Sequence, residues 1–214
     1  MNSFVFDIET GPLPESELNI PQFDPAEVKT GNIKDPAKIE AKIEEAKTNH
    51  ERNAIANAAL DPTTGRVLAV GIVGDKGTFV LDNDDEAALI TEFWGFCVQE
   101  NGRLNEIIGF NSNSFDLPFL VRRSWRHKIK PPPCLRRGRW WADQATDLRE
   151  VWQMGDRMCK GSLDSIARFF GLPGKTISGA DFHKLWATDR KQAIEYLVTD
   201  LSLTVKLAER MGVI

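Results

Sequence analysis

The chain has 214 residues, 42% hydrophobic and 27% charged, with 27 Lys and Arg against 31 Asp and Glu and a net charge of -4. That length suits one domain, or a domain with an appendage, and the composition excludes disordered, collagen-like and repeat classes. No apolar run approaches the ~20 residues of a membrane-spanning helix, and the acidic balance taken alone argues against a nucleic-acid partner.

Residues 3–9, SFVFDIE, alternate and are rich in β-formers, which predicts a strand that Gly11, Pro12 and Pro14 then break. No basic stretch leads into an apolar one at the start, so no signal peptide is expected. Residues 12–62 are polar. Their middle, DPAKIEAKIEEAKTNHERNAIANAAL, has helical propensity and mixed charge. The plain reading is a solvated helical excursion; the sharper one is an arm that touches substrate or a partner. Ile39, Ile43 and Ala46 give it an apolar edge that serves either.

RVLAVGIV (66–73) predicts a well-buried strand, and TFVL (78–81) its hairpin partner after a Gly74–Gly77 turn. Ala88, Leu89, Phe93, Phe96 and Cys97 recur at helical spacing within 85–99. EIIGF (106–110) reads as a short strand, LPFLVRRSWRHK (117–128) as a helix with Pro118 in its first turn, and ATDL (145–148) as a last strand. Helices near 163–170, 179–187 and 189–211 close the chain. The last carries Asp189 as a cap, Gln192 three residues on, and Gly212 past its end. A strand meander followed by alternating strands and helices predicts an α/β fold with a mixed sheet flanked by helices. Cys97, Cys134 and Cys159 are odd in number with no CxxC, so reduced thiols in a cytoplasmic protein are expected.

Four acids stand out by placement. Asp7 and Glu9 are two apart on a strand, so both leave the same face. Two acids at the end of an apolar strand are costly to bury unless something such as a divalent metal neutralises them; otherwise the strand simply ends in solvent. Asp116 precedes a helix, where it would serve as a site residue or only as a cap. Tyr196 and Asp200 share one face of the last helix, one turn apart, beside an interior stripe of Ile194, Leu197, Val198, Leu201, Val205 and Ala208. Alone, that pair reads as a boundary Tyr and a solvated Asp. Together, the acids could converge at one sheet edge, where oxygen-rich sites suit Mg²⁺ or Mn²⁺.

The residues resemble the DEDD superfamily of 3′→5′ exonucleases, tyrosine subtype, on the ribonuclease H-like fold. FDIET is similar to the first exonuclease motif. GFNSNSFD is similar to the second, with the Asn-x3-Phe-Asp spacing of proofreading domains of family B DNA polymerases. Tyr196-Leu-Val-Thr-Asp200 is similar to the third, Tyr-x3-Asp. The resemblance is closest to standalone predicted exonucleases related to those domains. It implies a single domain over 1–214 with a five-stranded mixed sheet and a helical insertion at about 12–62. It also implies two divalent ions, Mg²⁺ or Mn²⁺. Asp7, Glu9 and Asp200 would hold one, Asp7 would bridge to the second, and Asp116 would act on the second through water. Tyr196 would orient the attacking water, since a phenol of ordinary pKa ~10 is a poor base. Asn111 and Phe115 are candidates to hold and stack the terminal nucleotide, with turn and core as their plain alternatives, and Thr10 is a further substrate-binding candidate. The histidine subtype would place His at 195, where Glu195 stands, and His183 reads as a surface residue.

The implied substrate is single-stranded nucleic acid, DNA more readily than RNA, released as mononucleotides, with replication or repair proteins as further partners and no membrane. Rivals are a catalytically inactive ribonuclease H-like binding module, an exoribonuclease, and an endonuclease. Residues 122–139 carry eight basic residues and no acid, with Trp125 inside and Trp140 and Trp141 just beyond. Arg136, Arg137 and Arg139 are expected to track phosphates while the aromatics stack bases; a solvated charge run is the alternative. GLPGKTISG (171–179) mimics a P-loop, but Phe169 stands where the pattern needs Gly and the segment follows a helix, so it reads as a turn.

Overall fold

The computed structural model describes residues 3–214 apart from 19, 21, 100, 133–144, 157 and 175–181. They form two compact units, Met1–Thr10 with Val67–Ile214, and Gly11–Arg66.

The larger unit is built on five strands, β1 (Ser3–Pro12), β2 (Gly65–Gly74), β3 (Gly77–Leu81), β4 (Glu106–Gly109) and β5 (Ala145–Asp147). Their spatial order is β3-β2-β1-β4-β5. β2 and β3 pair antiparallel, from Val70 opposite Leu81 to Gly74 opposite Gly77, and Gly77 takes the positive φ of 110° that the tight turn demands. β1 pairs parallel with β4, and β4 with β5. The sheet is therefore mixed and its centre is buried.

Helices cover both faces. The even residues of β1, Phe4, Phe6 and Ile8, pack with Ile72 against α2 (Glu86–Cys97) and α3 (Asp116–Arg126). The odd residue Val5 turns the other way. It joins Ala69 and Ile108 against α4 (Leu148–Gln153), α5 (Leu163–Phe169), α6 (Phe182–Thr188) and α7 (Arg190–Arg210). Caps fix the helix starts: Asp85 accepts from Ala87 and Ala88 N–H on α2, and Asp189 from Gln192 N–H at 3.0 Å on α7. Gly212, φ 69°, ends α7, with Val213 N–H reaching back to Ala208 O. The short α4, which begins inside the segment read as the last strand, is not foreseen in the sequence.

The interior stripe of α7 is rotated from expectation. Ala193, Tyr196, Leu197, Asp200, Leu201, Thr204 and Leu207 are buried, whereas Ile194, Val198 and Val205 are only half-buried. Tyr196 and Asp200 thus lie within the buried face, not beside it, because partners for their polar ends exist there. His183 is half-buried.

In the smaller unit, α1 (Pro36–Ala58) is capped by Asp35, whose carboxylate accepts from Ala37 N–H. Ile39, Ile43 and Ala46 are its half-buried edge. Phe23 packs its ring on His50, centroids 5.6 Å apart. Among the described residues, no helix is long and apolar enough to cross a membrane. Cys97 is buried and Cys159 half-buried; Cys134 lies outside the described residues. Gly171 turns the chain after α5, with Gly171 N–H donating to Arg168 O and Leu172 N–H to Ala167 O; residues 175–179 of the GLPGKTISG segment lie outside the described residues.

Candidate active site

The period-two geometry of β1 sends Asp7 and Glu9 to the α7 side of the sheet. Gly71 on β2 lets that helix lie close: a Cβ there would come within 2.2 Å of Leu201 Cδ1. Asp200 is thereby lowered onto the strand end. Asp7, Glu9 and Asp200 each offer a carboxylate oxygen, and these oxygens all lie within 4.8 Å of one another. Asp200 is only 2% exposed.

Asp116 comes from the opposite side. β1 outruns its pairing with β4, which extends over Ser3–Val5, and Ile8 N–H donates to Asp116 Oδ1 at 3.1 Å. Asp116 is the first residue of α3, and the N-cap position belongs to Phe115, which makes no side-chain cap bond. Asp116 is therefore not simply a helix cap. It is 4% exposed. Burial, and then the negative charge of Asp7, push its carboxyl well above the usual carboxylate range, against the opposing hydrogen bond from Ile8 N–H.

Tyr196 packs its ring on Phe182, centroids 5.9 Å apart, and its hydroxyl hydrogen-bonds Asp200. Burial first, then the charges of Asp200 and Glu9, push the phenol far above its ordinary pKa. Burial and these carboxylates favour the neutral, hydrogen-donating phenol.

The loop before Asp116 is set by a carboxylate absent from the sequence-derived site. Asp147, buried at the end of β5, accepts from Asn111 N–H at 2.8 Å, Asn113 N–H at 3.0 Å and Arg149 N–H at 2.9 Å. Asn111 takes a positive φ of 61°, which Asn tolerates better than most residues. Its Oδ1 accepts from Arg149 Nη1 at 2.7 Å. A cavity of about 730 Å³ opens here, lined by Asp7, Asn111, Phe115, Asp116, Arg149 and Lys160 among others. Phe115 also packs on Phe119, centroids 5.6 Å apart, so it belongs to both core and cavity wall.

Thr10 is half-buried at the end of the first motif. Arg136, Arg137 and Arg139, with Trp140 and Trp141, lie outside the described residues. Of the rest of the basic stretch, Arg122, Arg126, Lys128 and Lys130 are exposed, as is Trp125. Arg123 is not: it is buried, with Nε 2.9 Å from Glu86 Oε1 and Nη2 2.6 Å from Glu86 Oε2. It serves the fold and is lost to any phosphate track. Sequence reasoning missed Asp147, Arg149 and Lys160. The one available signal was Asp147 followed three residues on by Glu150, a helix-start pattern.

A family model described as "Predicted 3′-5′ exonuclease related to the exonuclease domain of PolB" matches residues 49–207. That range holds the second and third motifs; the first lies before it. An uncharacterized protein of Methanocaldococcus jannaschii is 30% identical over 166 residues, covering 72% of this chain and 89% of the relative. The fold is similar to part of the family B DNA polymerase from the hyperthermophilic archaeon Pyrobaculum calidifontis, with a TM-score of 0.62 at 17% identity. The match covers 98% of this chain and 24% of the polymerase, so the chain spans about a quarter of that protein.

Proposed function

From the premise that the chain belongs to the family of predicted 3′-5′ exonucleases related to the exonuclease domain of PolB, we propose that it is a metal-dependent enzyme releasing mononucleotides from the 3′ end of single-stranded nucleic acid, DNA in preference to RNA. The observation that carries this reading is the convergence of Asp7, Glu9 and Asp200 from a strand end and a helix, with oxygens within 4.8 Å.

The residues fit a divalent-metal site. Three carboxylates this close repel one another unless a cation or protons neutralise them, and burial of Glu9 and Asp200 denies them the screening of water. An all-oxygen donor set suits Mg²⁺ or Mn²⁺ over softer metals. Asp7, Glu9 and Asp200 would hold one ion, and Asp7 with Asp116 would serve a second. Bound there, divalent ions supply Lewis-acid stabilisation of charge at phosphorus and a more acidic attacking water.

The protein's own groups do the rest. Tyr196 donates its hydroxyl hydrogen to Asp200 and keeps its oxygen lone pairs for a water, which it orients toward phosphorus. It acts by position and not as a base, since a neutral phenol is a poor base and its surroundings favour the neutral form. Ile8 N–H fixes the carboxylate of Asp116. Asn111 and Phe115 line the cavity and would hold the terminal nucleotide, one by hydrogen bond and one by stacking.

The test is a product ladder on matched single-stranded DNA and RNA, each labelled at the 5′ or the 3′ end. Stepwise shortening of the 5′-labelled strand, with mononucleotide from the 3′-labelled one, is expected. Cutting of circular strands would instead mark an endonuclease, and retention without cleavage a binding module.

A further inference from the structure

The cavity beside the acids poses an electrostatic problem. Asp7, Asp116 and Asp164 line it, and a phosphodiester chain entering it brings more negative charge. Among the described lining residues the cations are Arg149 and Lys160. Lys160 is exposed. Arg149 is held at both ends: its backbone N–H donates to Asp147 Oδ1 at 2.9 Å and its Nη1 to Asn111 Oδ1 at 2.7 Å. The same Asp147 carboxylate also holds the Asn111 and Asn113 N–H groups. One buried anion thus fixes both the loop that leads to Asp116 and the start of the helix bearing Arg149. Nε is shut from solvent with no partner among the described residues, so the donors this half-buried side chain offers the cavity are those of its Nη groups.

We propose that Arg149 is the phosphate-binding residue of this cavity, its guanidinium taking nonbridging oxygens of the bound strand's phosphodiester backbone. A planar fork with donors to spare suits phosphate geometry. Its fixation in advance by Asp147 and Asn111 lowers the ordering cost on binding. The inference rests on the exonuclease reading for the identity of the ligand, but not for the existence of a phosphate contact.

The experiment measures binding of a 5′-labelled ten-nucleotide thymidine strand by anisotropy in EDTA over a salt series, beside steady-state kinetics with Mg²⁺. R149M is expected to weaken binding about tenfold and to reduce the salt slope by about 0.7, the share of one single-strand phosphate. R149K should retain most of that slope, and in kinetics the loss should fall on KM more than kcat. R149Q, which keeps a donor for Asn111 without the charge, carries the test should R149M fail to fold. Wild-type affinity and salt slope in folded R149M or R149Q would overturn the proposal even if the wild-type enzyme shortens DNA. Conversely, an inactive wild type whose strand binding falls in R149M would refute the exonuclease reading and sustain the phosphate contact.

Discussion

Tyr196 is the residue whose chemistry the site constrains most narrowly. Burial and the nearby carboxylates raise its pKa and favour the neutral phenol. Tyr196→Phe removes the hydroxyl and leaves the ring packed on Phe182. Turnover should fall roughly 10- to 100-fold, the cost of a mispositioned reactant, with KM changed little. A positioning role needs no ionisation of Tyr196, so the pH profile of the variant should keep the wild-type shape; loss of an alkaline limb would contradict that role. The spacing of Asp7 with Glu9 and of Tyr196 with Asp200 was readable because strand and helix periodicity fix which side chains share a face. Asp147 and Arg149 were not, since Asp147 meets the Asn111 loop across 36 residues of sequence and no local period encodes that meeting. Arg123 misled for the same reason. Its partner Glu86 is 37 residues away, so a buried ion pair looked like one more charge in a basic run.

At the scale of elements, that pair ties α2 to α3 and to the sheet. Glu86 accepts from Val67 N–H at 2.8 Å, from both arms of Arg123, and faces His127 Nε2 at 2.8 Å. Burial works to raise its pKa, but the hydrogen bonds from Arg123, Val67 and His127 outweigh it and hold the carboxyl below its ordinary value. A depressed folded-state pKa stabilises the native state above the unfolded carboxylate range. That contribution is lost as pH falls through the folded value. Denaturant unfolding from pH 7 down to 3 should therefore show a steeper loss in wild type than in Glu86→Gln. Arg123→Met, which leaves the carboxylate buried without its main partner, should cost about 3–5 kcal/mol at pH 7; a cost under about 1 kcal/mol would show that His127 and Val67 suffice. The long elements were legible in the sequence because their apolar periodicity runs over several turns. The six-residue α4 was not, because so short a helix takes its stability from packing more than from propensity.

For the whole molecule, the net charge of -4 is an average over unevenly placed groups. Acids and bases are segregated: carboxylates gather at the end of β1, and exposed cations gather on and after α3. An average over the chain hides both. A fold that concentrates like charge should gain stability from a cation that only the native state binds. Mg²⁺ or Mn²⁺ at about 100 times its dissociation constant should add about 2.7 kcal/mol per site, read as a raised melting temperature. Asp7→Asn and Asp200→Asn should lose that increment while melting no lower than wild type in EDTA. An equal metal-induced shift in wild type and variants would place the ion elsewhere.

If these carboxylates make a metal-dependent site for 3′-end hydrolysis, mononucleotide release depends on both the acids and the metal. The most direct measurement is the rate of mononucleotide release from 3′-labelled single-stranded DNA, in Mg²⁺ or Mn²⁺ and in EDTA, for wild type, Asp7→Asn and Asp200→Asn. Wild type should release mononucleotide only with metal, and each variant should fall by about 10³-fold, as for loss of a principal electrostatic contribution to the transition state. Release that persists in EDTA, or that either variant sustains at the wild-type rate, would contradict it.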